Sequence, residues 1–188
     1  KRESLSKRVT SWLSRIAYAA LNPETPEPIM ATVGRTKLNL QVIFTSMSQI
    51  VLRCSLKSEK SAADLFKYFS DFTTTNEWDP NTVNTTLISG DGKVGTKYAN
   101  TSTFNGRQSS LVYEVIEFQP DKLIRLRGEN KTLVAIDTMS IEDKDGRRTF
   151  TYEAAFTFKG IYKVAAPLLK KAFGKLRDDA EVGLKKVL

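Results

Sequence analysis

The stretch that decides the fold is "TFTYEAAFTFKGIYKVAAPLLKKAFGKLRDDAEVGLKKVL", residues 149–188. Its first part alternates. Phe150, Tyr152, Ala154, Phe156 and Phe158 share one face of an extended chain, with Thr151, Glu153 and Thr157 on the other. That pattern predicts a strand with one aromatic side and one wet side. After Gly160 the period changes. Ile161, Ala165, Leu168, Ala172, Leu176 and Ala180 recur at helical spacing, which predicts a closing helix from about Ile161 to Val187 packed on the aromatic side of the strand. Pro167 and Gly174 are costly inside such a helix, by about 3 and about 1 kcal/mol relative to alanine, and the proline kinks or restarts it. Ala165, Ala166, Ala172, Gly174 and Ala180 are small where leucine would fill space. They permit either close helix–sheet packing or the wall of a small-molecule pocket.

Upstream, "QIVLRCSL" predicts a first strand and "SAADLFKYFSDF" a helix. Ser61 is its N-cap, and Leu65, Phe66, Phe69 and Phe72 form its apolar stripe. "TTTNEWDPNT" is a short connection. Six strand-like runs follow: "TVNTTLIS", "TKYANTSTF", "QSSLVYEVIEF", "KLIRLRGE", "TLVAIDTMSIE" and "RTFTYEAAFTF". The spacers between them, such as "NGR", "QPD" and "DKDGR", suit antiparallel hairpins. Helices at the ends of a strand run predict an α+β class.

Composition excludes more than it selects. The 188 residues contain no histidine, which removes histidine-based nucleophile chemistry, His-ligated metal and imidazole proton shuttling. Cys54 is the single cysteine, so no intrachain disulfide or all-cysteine metal site forms; it reads as a small buried hydrophobe. A reducing, cytoplasmic compartment fits this usage. "SGDGKVG" lacks the closing Lys-Ser/Thr of a P-loop and reads as a hairpin loop. No cofactor and no metal are expected. The net charge is +8, but its lysines and arginines are scattered among acids without interleaved aromatics, so nucleic acid is not the expected partner. No apolar run reaches the roughly 18–20 residues needed to span a bilayer.

Residues 1–46 differ from the rest, with seven basic and three acidic side chains, a local excess of +4. Val9, Trp12, Leu13, Ile16 and Ala20 lie on one helical face, and "NPETPEP" then reads as a linker. The segment around residues 7–21 is a targeting peptide, a peripheral membrane-surface helix or the remnant of an upstream element. Alternatively translation starts at Met47, where the regular pattern begins, and residues 1–46 are dispensable. The expected division is therefore 1–46 as N-terminal segment and linker, and 47–188 as a ligand-binding domain. The sequence carries no signal for an oligomeric state.

The element order, with "FSDFTTTNEWDPNT", "LVYEVIEFQPDKLIRLRGE" and the terminal "GIYKVAAPLLKKAFGKLRDDAEVGLKKVL", resembles the polyketide cyclase/dehydrase-like branch of the START/Bet v 1 (SRPBCC) superfamily over residues 49–188. The resemblance implies a helix-grip fold: a seven-stranded antiparallel sheet wraps the long C-terminal helix and encloses an apolar cavity. It also implies a small hydrophobic or amphipathic ligand, such as a lipid, isoprenoid or polyketide-like compound, that is bound or transported. The rival is an aromatase/cyclase or dehydratase in the same cavity. A third reading, from coenzyme Q-binding relatives, is a quinone chaperone.

Within that frame Asp137 is the one candidate catalytic residue. "TLVAIDTMSIE" offers two faces, and if the face carrying Leu133, Ala135, Asp137, Met139 and Ile141 is concave, desolvation raises the Asp137 pKa and makes it a neutral acid or a ligand anchor. Otherwise it is paired with Arg125 or Arg127, or solvated outside. Tyr98, Tyr113 and Tyr152 point inward in the simplest register, as hydroxyl anchors or as core aromatics. Trp78 in "EWDPN" is a packed aromatic near one end of the cavity or a lid. Met139, Phe156, Leu168 and Ala172 complete the expected ligand-binding set. Arg125 and Arg127 either grip a ligand carboxylate or face outward.

Overall fold

A computed structural model describes residues 49–188 apart from Asn105, and for residues 164–168, 170 and 171 the backbone alone; residues 1–46, including the amphipathic segment, lie outside the described residues. The first strand, β1 (Gln49–Ser58), leads through Ser61 into α1 (Ala62–Ser70). Ser61 caps that helix as expected, its hydroxyl accepting from the Asp64 amide at 3.0 Å. A single 3₁₀ turn (Phe72–Thr74) and the one-turn helix α2 (Thr75–Trp78) follow. Then come β2 (Thr82–Ser89), β3 (Lys97–Phe104), β4 (Arg107–Gln119), β5 (Leu123–Glu129), β6 (Leu133–Lys144) and β7 (Arg147–Phe158).

The seven strands form one antiparallel sheet in the order β1-β7-β6-β5-β4-β3-β2. The meander from β2 to β7 is local; only β1 pairs out of order, with Gln49 opposite Thr157 and Ser58 opposite Arg148. The strand alternation read from the sequence is reproduced. Phe150, Ala154 and Phe158 are buried, as are Leu133, Ala135, Asp137, Met139 and Ile141 on β6. A bulge between Val115 and Glu117 shifts the parity of β4, so Val115 and Phe118 both face the core while Ile116 is exposed. The outer face carries ion pairs. Arg125 holds Glu117 and donates to the Thr138 hydroxyl at 3.2 Å, and Arg127 pairs with Glu129. Both arginines therefore lie on the convex side, away from any interior ligand.

The C-terminal segment departs from its expectation in two ways. The helix does not run unbroken from Ile161: residues Gly160–Ala165 are 3₁₀, and α3 spans Ala166–Val187. Pro167 thus sits in the first turn of α3, where its missing N–H has no intrahelical partner to lose and its fixed φ suits helix initiation. The buried stripe is also rotated. Leu169, Phe173, Ala180 and Leu184 are buried, Ala172 and Leu176 only partly, and Ile161 is 59% exposed. The pairs Leu168-Leu169 and Ala172-Phe173 let either face read as apolar, and the larger phenylalanine decides. Gly174 does not open toward the interior. It lines a surface cleft between β1 and α3, and a Cβ built there meets nothing within 4 Å. Gly183 is the glycine with a steric reason: its missing Cβ leaves room for the backbone carbonyl of Trp78. The far end of α3 is tied to the β1–α1 turn, with the Ser58 hydroxyl donating to the Leu188 carbonyl at 3.1 Å and Lys60 reaching the Val187 carbonyl.

Candidate functional site

Aromatic side chains fill much of the space between sheet and α3. Phe69 stacks on Phe150 at 3.9 Å, Phe72 meets Tyr113 at 5.0 Å, and Phe173 touches both Phe104 and Phe156 at 4.7 and 4.8 Å. What remains is a pocket of about 90 Å³. That is less than the 150 Å³ or so that admits benzene into an apolar core, so the interior is more tightly packed than the small residues of α3 imply. What lies between sheet and α3 is smaller than the cavity expected from the sequence. The pocket has a polar foot at Asp137, Tyr113 and Tyr152 and a polar rim at Asn81, Ser102 and Thr103. At Asn81, Thr103, Phe104 and Leu176 it adjoins an outer cleft of about 360 Å³ that also reaches Ala172, Lys175 and Asp179. Together the two reach the roughly 300–1,000 Å³ of ordinary ligand sites. A third cleft, about 450 Å³ beside β1, is lined mainly by Gln49–Arg53 on the surface and carries no comparable chemistry.

The foot of the pocket is built from neighbouring strands. On β4, Tyr113 pairs with Gly128 of β5, which pairs in turn with Ala135 of β6. The Tyr113 ring lies on Gly128: a Cβ there would come 2.9 Å from Cε1. Glycine at this position lets the phenol lie flat on the sheet and reach toward β6. Asp137 stands opposite Leu126 and Ala154 and is only 4% exposed. The Tyr152 hydroxyl donates to its Oδ2 at 3.4 Å, while its Oδ1 has no partner. Burial, reinforced by the negative charge of Asp79, pushes the Asp137 carboxyl up to about 7; the Tyr152 hydroxyl bond and the neighbouring Tyr113 phenol oppose the rise. Tyr113 and Tyr152 are themselves pushed well above the ordinary phenol value, first by burial and then by Asp137, so both keep their protons.

The other wall is Trp78. It is 2% exposed, packed edge-on to Tyr152 at 5.2 Å, and its indole Nε1 has no partner. In this structure it is a packed wall of the pocket. A buried polar network fixes α2 beneath it: the Thr75 hydroxyl bonds that of Thr85 at 2.7 Å, Asn100 donates to Thr85 at 2.8 Å, and Asn76 bonds the Thr85 backbone on both sides. Asp79 ends α2, accepting from the Asn81 amide at 3.0 Å and the Thr82 hydroxyl at 2.9 Å. Burial raises its pKa and those bonds lower it, with the rise prevailing.

Of the expected set, Trp78, Tyr113, Asp137, Tyr152 and Phe156 come together around the pocket. Ala172 lines the outer cleft instead. Tyr98 and Met139 are buried in the core without lining either space, Tyr98 against Phe72 at 5.8 Å. The Leu168 side chain lies outside the described residues. Phe104, Phe173, Asp79 and Asn100 line the pocket and were not foreseen. Only Asp79 left a sequence signal, the Asx-turn pattern of "DPNT". Among the described residues no cluster of acids or Cys54 has the grouping of a metal site, and no helix is long and apolar enough to cross a membrane.

Residues 55–188 match the family model described as polyketide cyclase / dehydrase and lipid transport. The chain belongs to that family. No curated protein matches it. Other folds of the same kind are known from crystals. The Zhui aromatase/cyclase from Streptomyces sp. R1128 superposes with a TM-score of 0.60 at 9% identity, over 72% of this chain and 90% of its own. A START superfamily protein from Mycobacterium smegmatis gives 0.59 at 15%, over 72% and 94%. The major latex-like protein 151 of Panax ginseng gives 0.58 at 11%, over 74% and 97%. At such identities the likeness is one of fold, and it is the helix-grip arrangement shared across the START and polyketide cyclase-like members.

Proposed function

We propose that this polyketide cyclase/dehydrase-family chain binds a small, mostly apolar molecule with one polar end, and carries it rather than transforming it. One observation carries this reading: Asp137, a carboxyl buried among aromatic rings at the foot of a pocket, with one oxygen left unpaired. A buried unpaired polar atom costs about 1–3 kcal/mol, so a protein that keeps one on a residue lining a pocket has a use for it. The polar end of a ligand would pair with it, and the apolar body would lie along Phe104, Leu176 and Ala172 in the outer cleft. Each Å² of apolar surface so removed from water contributes roughly 25 cal/mol. Carriage is favoured over catalysis because no lysine or arginine lines the pocket beside Asp137 among the described residues to complete an acid–base pair. The test is native mass spectrometry of the purified 188-residue chain, with extraction of bound compounds. Recovery of a lipid, isoprenoid or quinone supports carriage; a chain that emerges empty and takes up no apolar compound refutes it.

A second reading, aromatase/cyclase or dehydratase activity, is favoured by Asp137 itself. A carboxyl held at about 7 is poised to give and take a proton near neutral pH, and the pocket would orient a poly-keto chain for ring closure. Turnover of such a substrate that disappears in Asp137→Asn supports it; unchanged turnover in that variant removes Asp137 from the chemistry.

A further inference from the structure

The pocket holds a second orphan besides Asp137 Oδ1. Trp78 Nε1 is also buried and unpartnered, and it is a donor where Oδ1 is an acceptor. Both side chains line the same small space, and Tyr152 touches both, its ring against Trp78 and its hydroxyl on Asp137. Each candidate head group makes a different match to this pair. A carboxylate or phosphate would meet two acids, Asp79 and Asp137, and no lysine or arginine among the described lining residues. An ammonium would suit Asp137 but has no lone pair for the indole N–H. An ether accepts from the indole and gives nothing to Asp137. A hydroxyl does both, since it has one hydrogen and two lone pairs. It can accept from Trp78 while donating to the carboxylate; an ether equals it only where Asp137 is protonated, since its second lone pair then accepts from the acid.

Size narrows the match further. About 90 Å³ is too little for a ring of benzene's bulk, so what enters is slender. Resting on the reading of the chain as a ligand carrier, we propose that its ligand is an unbranched aliphatic alcohol, whose terminal hydroxyl sits between Trp78 Nε1 and Asp137 Oδ1. Its chain passes between Phe104 and Leu176 into the outer cleft. A polyketide-like ligand with aromatic rings, among those the family resemblance implied, does not fit the inner pocket in this state.

The experiment uses the full chain and four probes of equal length: 1-octanol, heptyl methyl ether, octylamine and octanoate. At pH 8.5, where Asp137 is ionised, affinity is measured by calorimetry, and the Trp78 indole N–H resonance is followed by ¹⁵N-edited NMR, assigned with Trp78→Phe. The expected result is that 1-octanol binds about tenfold more tightly than the ether, shifts the Trp78 resonance downfield, and loses about tenfold in either Trp78→Phe or Asp137→Leu. Equal affinity for alcohol and ether, or an unmoved resonance, overturns the alcohol assignment and leaves the carrier reading standing; in that case the two polar atoms are served by water alone. Tighter binding of octylamine or octanoate also overturns it. Binding of no probe by the wild-type chain overturns both readings for ligands of this class. If either variant fails to fold, the wild-type alcohol-to-ether ratio and resonance shift still decide.

Discussion

Two glycines in one helix, changed in the same way, are expected to move stability in opposite directions. Gly174 and Gly183 both lie inside α3, and replacing either with alanine gains about 1 kcal/mol of helix propensity. At Gly174 the new methyl meets nothing within 4 Å, so that gain stands. At Gly183 it collides with the Trp78 carbonyl: the carbonyl carbon lies 2.8 Å from the new Cβ, and Pro80 Cδ lies at 3.3 Å. The carbon alone must retreat about 0.7 Å to reach the roughly 3.5 Å of normal contact, and the oxygen in front of it by more. That motion pushes α2 off α3 and strains the network of Thr75, Thr85 and Asn100 beneath it. A clash this close sits at or above the top of the roughly 1–3 kcal/mol that overpacking costs, which exceeds the propensity gain. With about 2–4 °C per kcal/mol for a chain of this size, Gly174→Ala raises Tm by about that amount. Gly183→Ala lowers it, and shifts the Trp78 indole resonance. Calorimetric melting of the two variants beside the wild type is the assay. A Gly183→Ala protein as stable as Gly174→Ala would refute the claim that Trp78 is pressed against α3.

Asp137 makes stability depend on pH. Its folded pKa of about 7 lies above its ordinary value of 3.8, so between these the folded state keeps a proton the unfolded chain has released. Stability therefore falls as pH rises from about 4 to 7 and stays low above, by roughly 4 kcal/mol at the limit. Asp137→Asn flattens this slope and is the more stable form at pH 8; urea unfolding of both proteins at pH 4.5 and 8 checks it, and parallel slopes would refute it. Gly128→Ala tilts the Tyr113 ring off the sheet and costs about 1–3 kcal/mol, read by melting and by the fluorescence or NMR of the displaced ring; an unchanged Tm would mean the ring is not seated there. Arg125→Ala, on the convex face, costs under about 1 kcal/mol and leaves ligand affinity alone, whereas a lost affinity would place that arginine in the site.

The sheet was legible because its information is local. Alternation of period two fixes which side of each strand is apolar, and the concave placement of Asp137 followed once the face carrying Leu133, Ala135 and Met139 was the buried one. The stripe on α3 was less legible, since adjacent apolar pairs at 168–169 and 172–173 leave its rotation to whichever face finds a partner, here Phe104 and Phe156 for Phe173. Gly183 had no readable signal at all: in sequence it is a weak point in a helix, and only the approach of Trp78 from a distant turn gives it a reason. Pocket volume was the least legible quantity. It depends on how far the interior rings interlock, and the small residues that hinted at a void proved to face a surface cleft at Gly174 and the outer cleft at Ala172.

The pairing of β1 with β7 reaches beyond the site. Gln49 finds its partner at Thr157, 108 positions later in the chain. During synthesis the first strand must therefore wait, edge unpaired, until the last has left the ribosome, and the helix that follows must emerge before the aromatic interior is covered. Long-range closure of this kind is slow and leaves strand edges open in the meantime, so the nascent polypeptide keeps an unpaired edge until β7 has been made.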